Sequence, residues 1–334
     1  MKNMKPYVSV IVPAYNAAAT LRKTVDDILA QTFLDYEIVL VDDGSTDETP
    51  ALCDRFAVEN EKFHVLHQKN GGLSNARNNG TKVAQGEFVT YVDSDDRIDP
   101  HYLEYLVQAV KETGAPFAFG QNDRARENQE VFTQSGDFKV RLLSQREALK
   151  AMGTGALPVG AWCKLGKREV YLQNPFLEGK YYEDLSSTYR ILLEHETVAM
   201  VDIPLYHYVM RGGSITGRKQ TTHKQCVDYY EAIQSCWNGV LSRYPELEDA
   251  AAVLKARDLM SLYLSINRCP NISDDLRRMA KEAEQWVKSH GRKICSNQNA
   301  PLEFRFRLIL FRINPALYEK IYYIGIRFKG KAIC

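Results

Sequence analysis

Three carboxylates, Asp93, Asp95 and Asp96, crowd into four positions of the stretch Gly86 to Pro100. Charges that close repel one another, so the arrangement is costly unless a cation or hydroxyl groups satisfy it. Hard oxygen donors of this kind suit Mg²⁺ or Mn²⁺, ions that keep part of their water and bind diphosphate oxygens. Just ahead of them, Phe88, Val89, Tyr91 and Val92 form a short apolar run rich in β-branched and aromatic residues. It reads as a buried strand that ends at the acids. In an open α/β sheet the ligand crevice lies outside the carboxyl ends of strands, so position and chemistry agree on a metal–nucleotide site. A turn capping a helix from about Pro100 explains Asp99 before that proline, but not the other three acids.

Further residues with usable chemistry follow the same logic. Glu37 to Val41 reads as another strand, and it too ends in acids, Asp42-Asp43-Gly44-Ser45-Thr46-Asp47. Glu183 and Asp184 open a helix running to Glu194, with Leu185, Tyr189 and Leu192 or Leu193 on one face. Acids in a first turn interact favourably with the helix dipole, so capping is a sufficient reason for that pair on its own. The strand-like Tyr206-His207-Tyr208 leads into Arg211-Gly212-Gly213-Ser214, a cation with backbone donors suited to a phosphate. Taken alone, His207 reads as a hydrogen-bonded core histidine.

These residues have to be positioned by a regular scaffold. Tyr7 to Val12 reads as a first strand, with Pro13-Ala-Tyr-Asn16 as the loop at its end. Leu21, Val25 and Ile28 then form one helical stripe. A helix through Leu52 and Phe56, a strand at Phe63 to His67, a Gly71-Gly72 turn and a helix from Leu73 to Ala84 lead to the Gly86 strand. Such alternation means parallel strands with crossover helices, hence an α/β doubly wound, mostly parallel, Rossmann-like sheet. No GxGxxG follows the first strand and no GxxxxGK[ST] occurs, which removes the main support for dinucleotide and P-loop readings. A helix from Pro100 to Thr113 and a strand at Pro116 to Gly120 continue the layer, and Gln121 to Gly136 reads as a polar loop. From His223 the pattern becomes helical, with Ser273 as an N-cap and Gly291 as a stop.

The totals are those of an ordinary globular protein of one large or two moderate domains: 334 residues, 45% hydrophobic and 25% charged. A net charge of +1 argues against a dedicated nucleic-acid binder. Seven scattered cysteines without a CxxC pair suggest reduced thiols. With no leader-like apolar core at the start and no run long enough to span a bilayer, the expectation is a cytoplasmic protein, peripheral at most on the inner face of the plasma membrane. The tail supports the second half of that expectation. Phe304 to Lys331 holds seven Lys/Arg against Glu319, a net +6 that leaves −5 on the rest. Leu317, Ile321, Ile324 and Phe328 share a stripe there, as in an interfacial amphipathic helix. The stretch Phe304 to Ile313 does not declare its structure, since Arg305 and Arg307 project to opposite sides of a helix; packing on the protein body, with the basic side in water, is the alternative for the whole tail.

VSVIVPAYN, DDGSTD, GLSNARNNG, YVDSDD, YYED and LYHY, in that order, resemble family 2 glycosyltransferases of the GT-A fold, the inverting group that includes bacterial capsular and exopolysaccharide enzymes. The resemblance runs from about Tyr7 to Thr216. It implies a donor half at 1–115, an acceptor and catalytic-base half at 116–220, a helical region at 221–300 and the basic aromatic tail at 301–334. It further implies Pro13, Tyr15, Asp43 and, less directly, Asp42 at the nucleobase, Asp93 at the ribose and Arg77 on the donor side. Asp95 is then a ligand of Mn²⁺ or Mg²⁺ together with His207, Asp184 the general base, and Arg211 with Ser214 a loop over the diphosphate. The partners that follow are a nucleotide-sugar, a UDP-sugar by preference, a glycan or lipid-linked acceptor and an anionic membrane surface. A homo-oligomer is left open, and no nucleic acid is expected. A nucleotidyltransferase would also use acids at strand ends, but its Gly-rich basic loop is missing where Pro13-Ala-Tyr-Asn16 stands. The rival from another class is a membrane-surface protein that binds sugar nucleotides without turnover.

Overall fold

A computed structural model of the protein describes residues 5–126, 138–211, 220–297 and 300–331. The chain forms two compact units, Met1–Ala148 with Leu157–Gly217, and Leu149–Ala156 with Arg218–Cys334.

The first unit is built on nine strands: β1 (Val8–Ala14), β2 (Tyr36–Asp42), β3 (Phe63–His67), β4 (Phe88–Tyr91), β5 (Arg97–Ile98), β6 (Phe117–Arg126), β7 (Val140–Ser144), β8 (Lys164–Lys167) and β9 (Thr197–Met210). Their order is β3-β2-β1-β4-β8-β6-β9-β5, with β7 also paired to β9. The β3-β2-β1-β4 half is parallel, as β-α alternation requires. Every residue of β1 and β2 is buried, which is why both are mostly apolar, and the buried exceptions Ser9 and Glu37 hydrogen-bond each other. The other half is mixed: β8 runs antiparallel to β4 and β6, and β5 and β7 antiparallel to β9, while β6 and β9 are parallel.

Helices α1 (Leu21–Leu29), α2 (Thr49–Glu59), α3 (Leu73–Val83), α4 (Tyr102–Thr113), the first residues of α5 (Gln145–Thr154), α6 (Arg168–Gln173) and α7 (Glu183–Glu194) accompany the strands, the rest of α5 counting with the second unit. Leu21, Val25 and Ile28 of α1 are fully buried beside Val10, Val12 and Leu40 in one cluster. On α3, Gly80 is needed for space, because a Cβ there would meet the side chains of Ile11 and Val41 at 2.6 and 3.0 Å. Some boundaries differ from the sequence reading. β1 continues through Pro13 and Ala14, which pair with Val41 and Asp42. β6 continues to Arg126 where a loop was expected from Gln121, because β9 supplies a partner as far as Met210. α4 begins at Tyr102 rather than Pro100, and its N-cap is His101 rather than Asp99; the Asp99 carboxylate instead accepts the His101 N–H at 2.8 Å in the turn that precedes the helix.

The second unit is helical: α8 (His223–Arg243), α9 (Glu248–Asn267), α10 (Asp274–Ser296), α11 (Leu302–Ile313) and α12 (Pro315–Lys331). Thr222 and Gln225 form a reciprocal capping box at the start of α8. Ser273 is the N-cap of α10, though its hydroxyl turns to Asp275 rather than to a backbone N–H. Gly291 does not stop that helix. It lies buried inside it, and a Cβ there would collide with Arg312 of α11, so the glycine serves close helix packing. The tail stretch that the sequence left open is α11. On it Leu302, Phe306, Ile309 and Ile313 fall at i, i+4, i+7 and i+11 and face solvent, Phe306 at 68% and Ile313 at 75% exposure. Leu317, Ile321 and Ile324 of α12 are also exposed. Among the described residues no helix is long and apolar enough to cross a membrane.

Candidate active site

The acids after β4 are held by α1. Thr20 and Thr24 donate their hydroxyls to the carbonyls of Ser94 and Asp96 at 2.9 and 2.8 Å, and Asp27 pairs with Arg97. These three residues share one side of the helix, a polar i, i+4, i+7 stripe legible in the sequence but not singled out there. Asp96 is the innermost acid. It accepts the Tyr206 hydroxyl at 2.7 Å and the Val209 N–H at 2.8 Å, and burial, then the neighbouring Asp93, push it up to about 8. Asp96 and Tyr206 therefore anchor the turn. Asp93 and Asp95 remain partly exposed at its edge.

Arg77, buried in α3, donates Nη2 to Asp93 at 2.8 Å and Nη1 to Glu183 at 2.5 Å. Burial opposes its charge, but the two carboxylates outweigh that and raise its pKa. One guanidinium fork thus joins the acidic turn to the first turn of α7. Asp184 follows Glu183; its Oδ1 accepts the N–H of Leu185 at 2.7 Å, and burial pushes its pKa up. Sequence reasoning had no pairwise signal for Glu183 as the partner of Arg77, because they stand 106 positions apart.

At the ends of β1 and β2, Asp43 accepts three hydrogen bonds: Oδ1 from Gln68 Nε2 and Gly71 N at 2.7 and 2.8 Å, and Oδ2 from Gly72 N at 2.8 Å, which leaves acceptor capacity on Oδ2. It closes the turn leading into α3. Asp42 accepts from Ser45 N–H at 3.0 Å and from His67 Nδ1 at 2.9 Å; burial would raise its pKa, but these bonds outweigh it and lower it. Pro13 is buried in β1, whereas Tyr15 stands out at 54% exposure. Asn16 ties this loop to the next, donating its N–H to Ser45 and accepting from Thr46 N.

His207 lies opposite Arg97 in the β5–β9 pair, two residues along from Asp95. Its Nδ1 donates to Asp123 at 2.7 Å, while Nε2 is buried and has no hydrogen-bond partner among the described residues. A carboxylate on Nδ1 fixes the tautomer that leaves a lone pair on Nε2, which is how metal-binding histidines are usually prepared. Asp95 has its carbonyl and, at 3.5 Å, its carboxylate engaged by Arg211. Among the described residues no three His, Cys, Asp or Glu side chains converge on a common point. The donor set therefore fits an ion that takes only one or two protein ligands and completes its shell with ligand oxygens and water. Ser214 lies outside the described residues.

Three non-glycine residues of the described chain take left-handed backbone: Asn16 at φ 49°, Cys163 at 59° and Tyr182 at 59°. Asn16 and Tyr182 adjoin residues of this region, Tyr15 and Glu183, and such strain, about 1–3 kcal/mol each, clusters at functional sites.

Comparison with known proteins identifies the family of the chain. A family model described as Glycosyl transferase family 2 matches residues 9–173. Glycosyltransferase GlyG of Streptococcus pneumoniae serotype 4 is 35% identical over 221 residues, 64% of this chain and 73% of that protein. The chain belongs to glycosyltransferase family 2. Among solved structures, residues 1–349 of S. aureus TarS superpose with a TM-score of 0.63 at 19% identity, covering 96% of this glycosyltransferase and 92% of that chain. The shared fold therefore extends past Thr216 into the helical end, where the sequence resemblance was weak. TarS 1–349 has also been solved in complex with UDP-GlcNAc. Mannosyltransferase PcManGT of Pyrobaculum calidifontis, in complex with GDP-Man and Mn²⁺, covers 95% of this chain and is covered to 88%, with a TM-score of 0.56 at 16% identity.

Proposed function

We propose that this glycosyltransferase moves a sugar from a UDP-sugar to a hydroxyl of a glycan or lipid-linked acceptor, by a single metal-dependent displacement with inversion, in the synthesis of a cell-surface polysaccharide. The observation that carries the reading is the Arg77 fork, which couples the acids of the strand end to the helix turn that bears Asp184. The UDP-GlcNAc complex of TarS supports the donor class. In this reading residues 1–115 hold the donor and 116–220 the acceptor and the base, followed by the helical region 221–300 and the tail 301–334.

Asp184 accepts the proton of the acceptor hydroxyl as its oxygen attacks the anomeric carbon, and the nucleoside diphosphate leaves from the opposite face. A raised pKa suits that role, since a base works best with a pKa near the working pH. Pro13, Tyr15, Asp42 and Asp43 frame the nucleobase, with exposed Tyr15 free to stack on it. Asp93, oriented by Arg77, meets the ribose. Asp95 and the Nε2 of His207 would hold Mn²⁺ or Mg²⁺, which supplies electrophilic stabilisation of the departing diphosphate when bound. Arg211, with Ser214, exchanges its contact to Asp95 for the diphosphate. The exposed row on α11 and the exposed residues of α12, in a segment of net +6, support adsorption to the anionic inner face of the plasma membrane.

A donor screen against the purified protein tests the proposal, scored by Mn²⁺-dependent release of nucleoside diphosphate. Turnover undiminished in excess chelator, or an Asp95→Ala variant as active as wild type, would sink the metal assignment.

A further inference from the structure

Lys164 is a buried cation that the mechanism above does not use. It opens β8 opposite Phe119 of β6, with only 3% of its surface exposed. Its Nζ donates to the carbonyl of Val159 at 3.1 Å and to the hydroxyl of Thr188, which in turn donates to that same carbonyl at 2.8 Å. Among the described residues no carboxylate lies within ion-pair distance of it. An unpaired buried ammonium costs several kcal/mol unless nearby charge offsets it. The charge that favours it most is Asp184. Thr188 stands four residues after Asp184 on α7, so the two share a side of that helix and the clamp on Thr188 fixes the turn that carries Asp184. The chain enters Lys164 through the left-handed Cys163 and enters α7 through the left-handed Tyr182.

We propose that Lys164 is a positioning residue for Asp184: clamped to Val159 and Thr188, its ammonium fixes the first turn of α7 and supplies the counter-charge that holds Asp184 as a carboxylate. This rests on Asp184 being the base. The surrounding charges agree with the assignment. Asp184 faces Lys164 from β8, Arg77 from α3, Asp93 from the turn after β4 and Glu183 on its own helix. Burial and Asp93 favour its protonated form; Lys164 and Arg77 oppose that, and Lys164 has the larger effect of the two cations. Arg77 is already shared between Asp93 and Glu183. Lys164 itself is pulled down to about 7 by burial and by Arg77, against Asp184 and Cys163. An ionised Asp184 therefore favours the charged form of Lys164, as a charged Lys164 favours the ionised form of Asp184.

The test is the pH profile of kcat for Lys164→Met, which keeps the length and apolar stem of the side chain and removes its charge. The acidic limb should move up by about one pH unit, about a tenfold loss of rate on that side, with donor affinity unchanged. Lys164→Arg, which keeps the charge, should hold the limb near its wild-type position. A Lys164→Met limb that superimposes on wild type overturns the proposal, whatever the absolute rate. Should Lys164→Met lack a cooperative melting transition, Thr188→Val decides: a limb moved in the same direction supports the clamp, an unmoved one overturns it. Asp184→Asn separates the two levels. If it stays active, the base reading fails; if it is inactive while the Lys164→Met limb is unmoved, only the Lys164 assignment fails.

Discussion

Arg77 and Glu183 meet at 2.5 Å although they stand 106 positions apart in the chain, and the other arm of the same guanidinium reaches Asp93. Removing one member of a buried ionic network leaves its partners uncompensated. Arg77→Met should therefore cost about 3–5 kcal/mol, measurable by urea or thermal unfolding. Arg77→Lys keeps the charge but not the fork, and should recover only part of that loss. A melting temperature for Arg77→Met within a degree or two of wild type would show that the fork contributes little.

Asp184→Asn retains the size of the side chain and its hydrogen bond from Leu185 but cannot act as a base. If Asp184 is the base, kcat falls by about 10² or more with donor affinity nearly unchanged. If the carboxylate serves only the first turn of the helix, turnover stays near normal and stability drops by about 1 kcal/mol or less. Kinetics and melting of this one variant decide.

His67 lies between Asp42 and Asp54, each 2.9 Å from one ring nitrogen, and the hydrogen bonds to Asp42 and then Asp54 raise its pKa above 6.5 against the opposing effect of burial. A raised folded pKa stabilises the fold below the unfolded value, near 6.5, and that contribution is lost as pH rises through the folded pKa. The melting-temperature difference between wild type and His67→Asn should accordingly be larger at pH 6 than at pH 9. A difference independent of pH would refute a charged bridge.

The apolar row on α11 makes a separate prediction. Phe306→Ser combined with Ile313→Ser should release the protein from anionic vesicles at low salt without lowering its melting temperature, because both side chains face solvent. One basic group beside the row is already paired, Arg307 with Glu303, while Arg305 keeps its charge but donates to the carbonyls of Asn297 and Ala300. Salt should therefore weaken the adsorption less than a count of seven cations suggests. Sedimentation of the double variant with vesicles as complete as that of wild type would rule out the row as the contact, and loss of a dimer on gel filtration would assign it to a second copy of the chain.

Much of the frame was written in local pattern. The β-α alternation through Thr113, the helix from Glu183 to Glu194 with Leu185, Tyr189 and Leu192 buried, and the helix starting at His223 all follow from spacings of two to four residues, which any short segment carries by itself. The acids at the ends of β2 and β4 were legible for the same reason. Other features depended on partners distant in sequence. β6 reaches Arg126 only because β9 lies alongside it, and Gly291 continues a helix because α11 presses on it rather than because of its own backbone preference. The same holds for charge. In the sequence Glu183 and Arg77 stand out but not as a pair, and Lys164 does not stand out at all, since the energy of a charge depends on burial and on distance through space; only the packing of α3, β8 and α7 turns them into one electrostatic unit around Asp184.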